Sequence, residues 1–174
     1  SAKSGYLARH LDAVISHPLV DAGAVKAKKY KVVVDAINST GAISIPPLLE
    51  ALGCEVVLIN GAMTGDFAHN PEPLPKHLTE LSETIRREGA DLGISVDPDV
   101  DRLAFVSEDG SMFGEEYTLV AIADYILAQR PGNTVSNLSS TRALRDVTER
   151  HGGTYHASAV GEVNVVATMK KGDA

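Results

Sequence analysis

The sequence predicts an α/β fold: a mixed, mostly parallel sheet sandwiched by helices, followed by the start of a second, similar α/β domain. Three observations lead there. Short apolar, β-branched runs at 31–35, 54–60 and 92–96 alternate with stretches whose apolar residues recur at helical spacing. Both halves of the chain use β-loop-α-β units, which makes the joined strands parallel with a right-handed crossover. An apolar content of 44% over 174 residues supports a real core, in one ordinary domain or two small ones.

Tyr6, Leu7, Leu11, Val14 and Ile15 fall on one face of a short helix, 6–15. His17-Pro18 breaks it, and a further helical turn fits within 20–27. His10 and His17 have no metal-ligand partners at useful spacing and read as surface residues. Residues 31–35 are a strand, and 36–41 a loop. A helix over 43–52 ends at Gly53, which leaves Pro46 and Pro47 in its tolerant first turn. Residues 54–60 return as a strand, with Cys54 a small buried residue.

The loop Asn38-Ser39-Thr40-Gly41 lies where a strand ends and a helix begins. It has two readings: an ordinary helix N-cap, which is preferred, or an anion site built from backbone N–H groups. Residues 61–75 are a Pro- and Gly-rich excursion of the kind that covers or contacts something. A helix from 75 or 76 to about 89 follows, with Leu78, Leu81 and Ile85 on one face. Strands are expected at 92–96 and 103–106, then a hairpin-like turn at 108–111.

A boundary near 111–114 divides the chain into domains 1–111 and 112–174. The second holds a helix over 115–129, with Leu119, Ile122, Ala123, Ile126 and Leu127 on one side. It continues with a strand at 134–138, an N-cap at Ser139-Ser140-Thr141, a helix over 142–151 and a strand at 154–159. A second loop-to-helix junction at 160–165 leads into a helix over 165–170. That is too few strands to close a sheet.

Composition narrows the function. A net charge of −7 and the absence of Trp argue against a nucleic-acid partner. No apolar run reaches membrane-spanning length. One cysteine cannot form an internal disulfide, so an intracellular, cytoplasmic home is expected. No Gly-x-Gly-x-x-Gly and no Walker lysine is present, so nucleotide binding is unsupported. Ser1-Ala2 reads as a cloning remnant and residues 170–174 stop in mid-flow, so both ends are expected to be cut.

The most informative stretch is Asp97-Pro98-Asp99-Val100-Asp101-Arg102, set between two apolar runs. Alternate carboxylates repel, so crowding three of them into five residues calls for a cation. The plain reading is an oxygen-ligand site for Mg2+, formed by Asp97, Asp99 and Asp101. A solvated acidic turn is the bland alternative. An EF-hand also wants alternate acids, but Arg102 stands where its loop needs Gly, and the flanks read as strands. A haloacid-dehalogenase-like phosphatase would use Asp97 as nucleophile and Asp99 as general acid, but no later paired-acid motif follows. A non-catalytic metal-binding module is the remaining alternative.

Four motifs in order then carry a resemblance: Val34-Asp35-Ala36-Ile37-Asn38-Ser39-Thr40-Gly41, Phe67-Ala68-His69-Asn70-Pro71-Glu72-Pro73, the acidic loop with Arg102, and Val160-Gly161-Glu162-Val163-Asn164-Val165. With these the chain resembles the middle of an α-D-phosphohexomutase, the phosphoglucomutase/phosphomannomutase family that includes phosphoglucosamine mutases. The resemblance implies domain 2 and part of domain 3 of a four-domain enzyme, whose remaining domains would be partners in the same full-length chain. It implies Mg2+ on Asp97, Asp99 and Asp101, an active-site role for Arg102, and phosphosugar contacts at Gly161 and Glu162. The implied reaction moves a phosphoryl group between the 1- and 6-positions of a hexose through a phosphoserine enzyme and a bisphosphate intermediate. The usual metal loop has glycines where Pro98 and Val100 stand. The phosphoserine motif is missing, because Phe67-Ala68-His69-Asn70-Pro71 lacks its serine, so the chain alone is expected to be inactive.

Overall fold

The computed structural model describes residues 5–174; Ser1 and Ala2, read above as a cloning remnant, lie outside them. The described residues form two compact units, divided between Phe113 and Gly114.

The first unit contains α1 (Tyr6–Ile15), α2 (Ala22–Lys28), β1 (Lys31–Asp35), α3 (Gly41–Ala51), β2 (Glu55–Ile59), α4 (Thr79–Glu88), β3 (Leu92–Val96) and β4 (Leu103–Ser107). Its sheet has the order β2-β1-β3-β4. β1 is parallel to both β2 and β3, and β4 runs antiparallel to β3. Side chains alternate across β1, so its two faces feed two cores. Val33 packs with Leu78, Leu81, Ile85, Ala90, Ala104 and Val106 beneath α4. Val32 and Val34 pack with Ile94 and Val96, and α3 covers them with Ile45 and Leu49. The sheet is therefore sandwiched, as the two-faced apolar strands require.

Topology fixes where a ligand would sit. The chain leaves β1 through α3 to reach β2 on one side, then returns through α4 to β3 on the other. The carboxyl ends of β1 and β3 therefore flank a switch point, where open α/β sheets form ligand crevices. The loops after β1 and β3 meet there.

Three local expectations are corrected. α3 starts at Gly41, two residues early, which places Pro46 and Pro47 in its second turn rather than its first. Neither proline can donate a hydrogen bond to the preceding turn, a cost offset by burial of the helix against the sheet. The excursion resolves at its end into a single 3-10 turn, Pro75–His77, so α4 begins only at Thr79. Cys54 is half-buried at the margin of the α3-side core rather than fully buried; burial still pushes its thiol pKa up.

The second unit contains α5 (Glu115–Gln129), β5 (Thr134–Asn137), α6 (Ala143–Arg150), β6 (Tyr155–Ser158) and α7 (Glu162–Gly172). β5 and β6 form a parallel pair. α7 begins three residues before its expected start, at Glu162. The expected serine cap of α6 is absent: the Ser139 and Ser140 hydroxyls donate to Asn137 Oδ1, and Thr141 Oγ1 accepts from the Ala143 N–H. Of the apolar side of α5, Leu127 is buried at 4% exposure while Leu119 and Ile122 remain 46% and 54% exposed. α5 packs chiefly against α6, which leaves part of this side uncovered.

Candidate metal centre at the carboxyl edge of the sheet

Asp97 follows the last residue of β3 and is buried, at 5% exposure. Its Oδ1 accepts the backbone N–H groups of Asp101 and Arg102, both at 3.0 Å. Those two bonds fold the loop back on itself and bring Asp99 and Asp101 round to the same side. One carboxylate oxygen from each of Asp97, Asp99 and Asp101 lies within 4.8 Å of the others. Asp99 and Asp101 are exposed, so the cluster opens outward from a buried base.

Pro98 ties this loop to the loop after β1. Its carbonyl accepts the hydroxyls of Ser39 at 2.9 Å and Thr40 at 2.6 Å. The expected N-cap role of this loop is thereby corrected, since Thr40 makes no side-chain cap bond to α3. The hydroxyls brace the acidic loop across the switch point. Asn38 braces the next loop, accepting from the Ala62 N–H and donating to the Asp66 carbonyl.

The electrostatics express the crowding. Burial works against the Asp97 carboxylate, but the Arg102 N–H and the contacts from Asp101 outweigh it and hold its pKa below the usual carboxylate range. Asp101 is pushed above that range by its contact with the Asp97 carboxylate, with the charges of Asp97 and Asp99 adding to it. The only cation within ion-pair distance of the trio among the described residues is Arg102, whose Nε is 3.7 Å from Asp97 and 3.9 Å from Asp101.

A hard divalent cation fits this donor set. All three ligands are carboxylate oxygens, the preference of Mg2+. One oxygen from each of the three residues already lies within 4.8 Å of the others.

Backbone conformation marks the same edge. Ile37, Asn38, Asn60, Met63 and Val100 all have φ between 47° and 64°, the left-handed region. For the β-branched Val100, at φ 64°, this is a strained position that glycine would occupy freely. We therefore expect Val100→Gly to be more stable than Val100→Ala by about 1 kcal/mol, measured by urea unfolding. Both variants lose the two methyl groups of Val100, and only alanine keeps a Cβ in the left-handed region.

The residues that sequence reasoning left without a role are Asp35, Asn60 and His69. Asp35, the last residue of β1, is fully buried. Its Oδ1 accepts from the Ile37 N–H and the Asn60 side-chain amide. Its Oδ2 is 2.8 Å from His69 Nε2, and His69 Nδ1 is 2.9 Å from the Asn70 carbonyl. Both partners of the ring are acceptors, so the geometry favours the doubly protonated, cationic imidazole. Burial presses His69 towards neutrality, but its bonds to Asp35 and Asn70 outweigh this and raise its pKa above the ordinary histidine value. A raised histidine pKa stabilises the fold below the unfolded value of about 6.5, and that stabilisation is lost as pH rises through the folded value. The urea midpoint should therefore fall as pH rises above about 6.5, and fall less in His69→Gln.

Gly161 and Glu162 belong to the second unit. Gly161 has φ 115°, open only to glycine, and precedes Glu162, the first residue of α7. Glu162 is exposed there.

Comparisons with known proteins follow the same division. Residues 8–110 match the phosphoglucomutase/phosphomannomutase alpha/beta/alpha domain II, and residues 114–174 match domain III. A phosphomannomutase/phosphoglucomutase of Pseudomonas putida is 38% identical over 148 residues, covering 83% of this chain and 32% of the relative. A phosphoglucomutase/phosphomannomutase of Thermococcus kodakarensis is 34% identical over 152 residues, covering 86% and 33%. The crystal structure of a phosphoglucomutase/phosphomannomutase family protein from Burkholderia thailandensis superposes with a TM-score of 0.76 at 27% identity, covering 88% of this chain and 35% of that one. The chain thus spans about a third of the length of the relatives it matches.

Proposed function

This chain belongs to the phosphoglucomutase/phosphomannomutase family, and from that premise we propose that it supplies the metal loop and part of the sugar-binding surface of a Mg2+-dependent phosphohexomutase of the cytoplasm. The reaction is an intramolecular phosphoryl transfer in carbohydrate metabolism, interconverting hexose 1- and 6-phosphates through a phosphoserine and a bisphosphate intermediate. The phosphoserine comes from another domain of the full-length enzyme, and this chain by itself does not turn over.

Asp97, Asp99 and Asp101 hold the Mg2+. A divalent ion held there would supply positive charge to the phosphoryl oxygens. The chain's own residues do the rest. Asp97 keeps the loop closed through its two backbone bonds, and Ser39 and Thr40 fix its height over the sheet through Pro98. Arg102, half exposed, offers a planar fork of donors to the transferring phosphate. Gly161 brings backbone close to the sugar, and Glu162 accepts from sugar hydroxyls. The observation that carries this reading is the convergence of three carboxylates at the switch point between β1 and β3.

The phosphatase reading finds no support in the family comparisons. Residues 8–110 and 114–174 match the phosphoglucomutase/phosphomannomutase domains II and III, and nothing in those matches supports an aspartyl phosphatase.

Mn2+, another oxygen-seeking divalent ion, tests the location of the site by paramagnetic broadening of backbone NMR signals. Broadening should centre on residues 97–102 and reach Ser39 and Thr40. Broadening centred on other acidic residues would remove the basis of the assignment.

A further inference from the structure

We infer that Glu72 is a positioning residue for Arg102, held in place by a relay that begins at the buried Asp35 carboxylate. The inference rests on the proposed role of Arg102 at the reaction site.

The relay can be followed atom by atom. Asp35 is fixed at the end of the central strand β1, and Ile37 and Asn60 occupy one of its oxygens. The other oxygen takes His69 Nε2, whose ring then donates from Nδ1 to the Asn70 carbonyl. The Asn70 side-chain Oδ1 accepts the Glu72 N–H at 3.0 Å. Pro71 and Pro73 restrict φ on either side of Glu72, and Pro73 is buried. The Glu72 backbone is thus set by the core of the sheet, although its carboxylate is exposed. That carboxylate stands 3.8 Å from Arg102 Nη1.

Arg102 therefore has three carboxylates around it, and they differ in kind. Asp97 and Asp101 approach Nε and belong to the trio assigned to the metal. Glu72 approaches Nη1 and lies outside that trio. A cation that draws charge from Asp97 and Asp101 weakens their hold on the guanidinium. Glu72 is then the acceptor that remains, and it holds the guanidinium away from the metal position instead of letting it compete there.

The test is a double-mutant cycle on the whole chain, with two readouts. Mg2+ binding is measured by calorimetry at physiological ionic strength, and the Arg102 Nε–H signal by NMR. Glu72→Gln should weaken Mg2+ binding about two- to fivefold, the size of an exposed ion pair. It should also shift the Arg102 Nε–H signal. In an Arg102→Gln background the same Glu72→Gln change should leave Mg2+ affinity unaltered. An equal loss in both backgrounds would mean that Glu72 acts only as a distant negative charge and would overturn the inference. So would an Arg102 signal that ignores Glu72→Gln. If the parent chain bound no Mg2+, the proposed metal site would fail, while the NMR arm would still decide whether Glu72 orients Arg102.

Discussion

Replacing Asp35 with alanine should cost the chain about 3–5 kcal/mol of stability, the range found when one partner of a buried ion pair is removed. Asp35 has no exposed surface, and its loss removes the acceptor of the Ile37 N–H, the partner of the His69 ring and one of the two acceptors of the Asn60 amide, Glu80 being the other. Urea unfolding would measure it. Removing both charges, as in Asp35→Asn with His69→Gln, should be milder, because no buried charge is left unpaired. A loss below about 1 kcal/mol in Asp35→Ala would mean that the network is ornamental, with water replacing the carboxylate at no cost.

Asp97→Ala should lower Mg2+ affinity by at least about 10- to 100-fold, the loss seen when even an outer partner of a metal ligand is removed. It should also cost about 1–3 kcal/mol of stability, since the N–H groups of Asp101 and Arg102 lose their acceptor. Asp99→Ala separates the two effects. Asp99 is exposed, so its replacement should remove metal affinity while leaving the urea midpoint nearly unchanged.

How much of this was legible in the sequence depends on distance along the chain. The strands were plain because β-branched runs such as Lys31–Asp35 declare themselves locally. The acidic trio was legible for the same reason: its three members lie within five residues, and the turn that gathers them is held by its own backbone. The start of α3 is hidden because local proline rules favour a first turn around Pro46 and Pro47, whereas burial against the sheet extends the helix back to Gly41. The Asp35–His69 pair was illegible. Its partners are separated by 34 positions, and they meet only because an irregular excursion doubles back over the sheet edge. No periodicity encodes that return. The exposure of Leu119 and Ile122 was hidden too, since a helical stripe predicts an apolar face but not whether anything covers it.

The most direct measurement of the central claim is a calorimetric titration of Mg2+ into the chain and into Asp99→Ala. The account predicts a single weak site in the parent chain, with the phosphoserine ligand supplied by another domain, and loss of that site in the variant. Identical isotherms for the two proteins would contradict it, because the carboxylates gathered between β3 and β4 would then hold no ion.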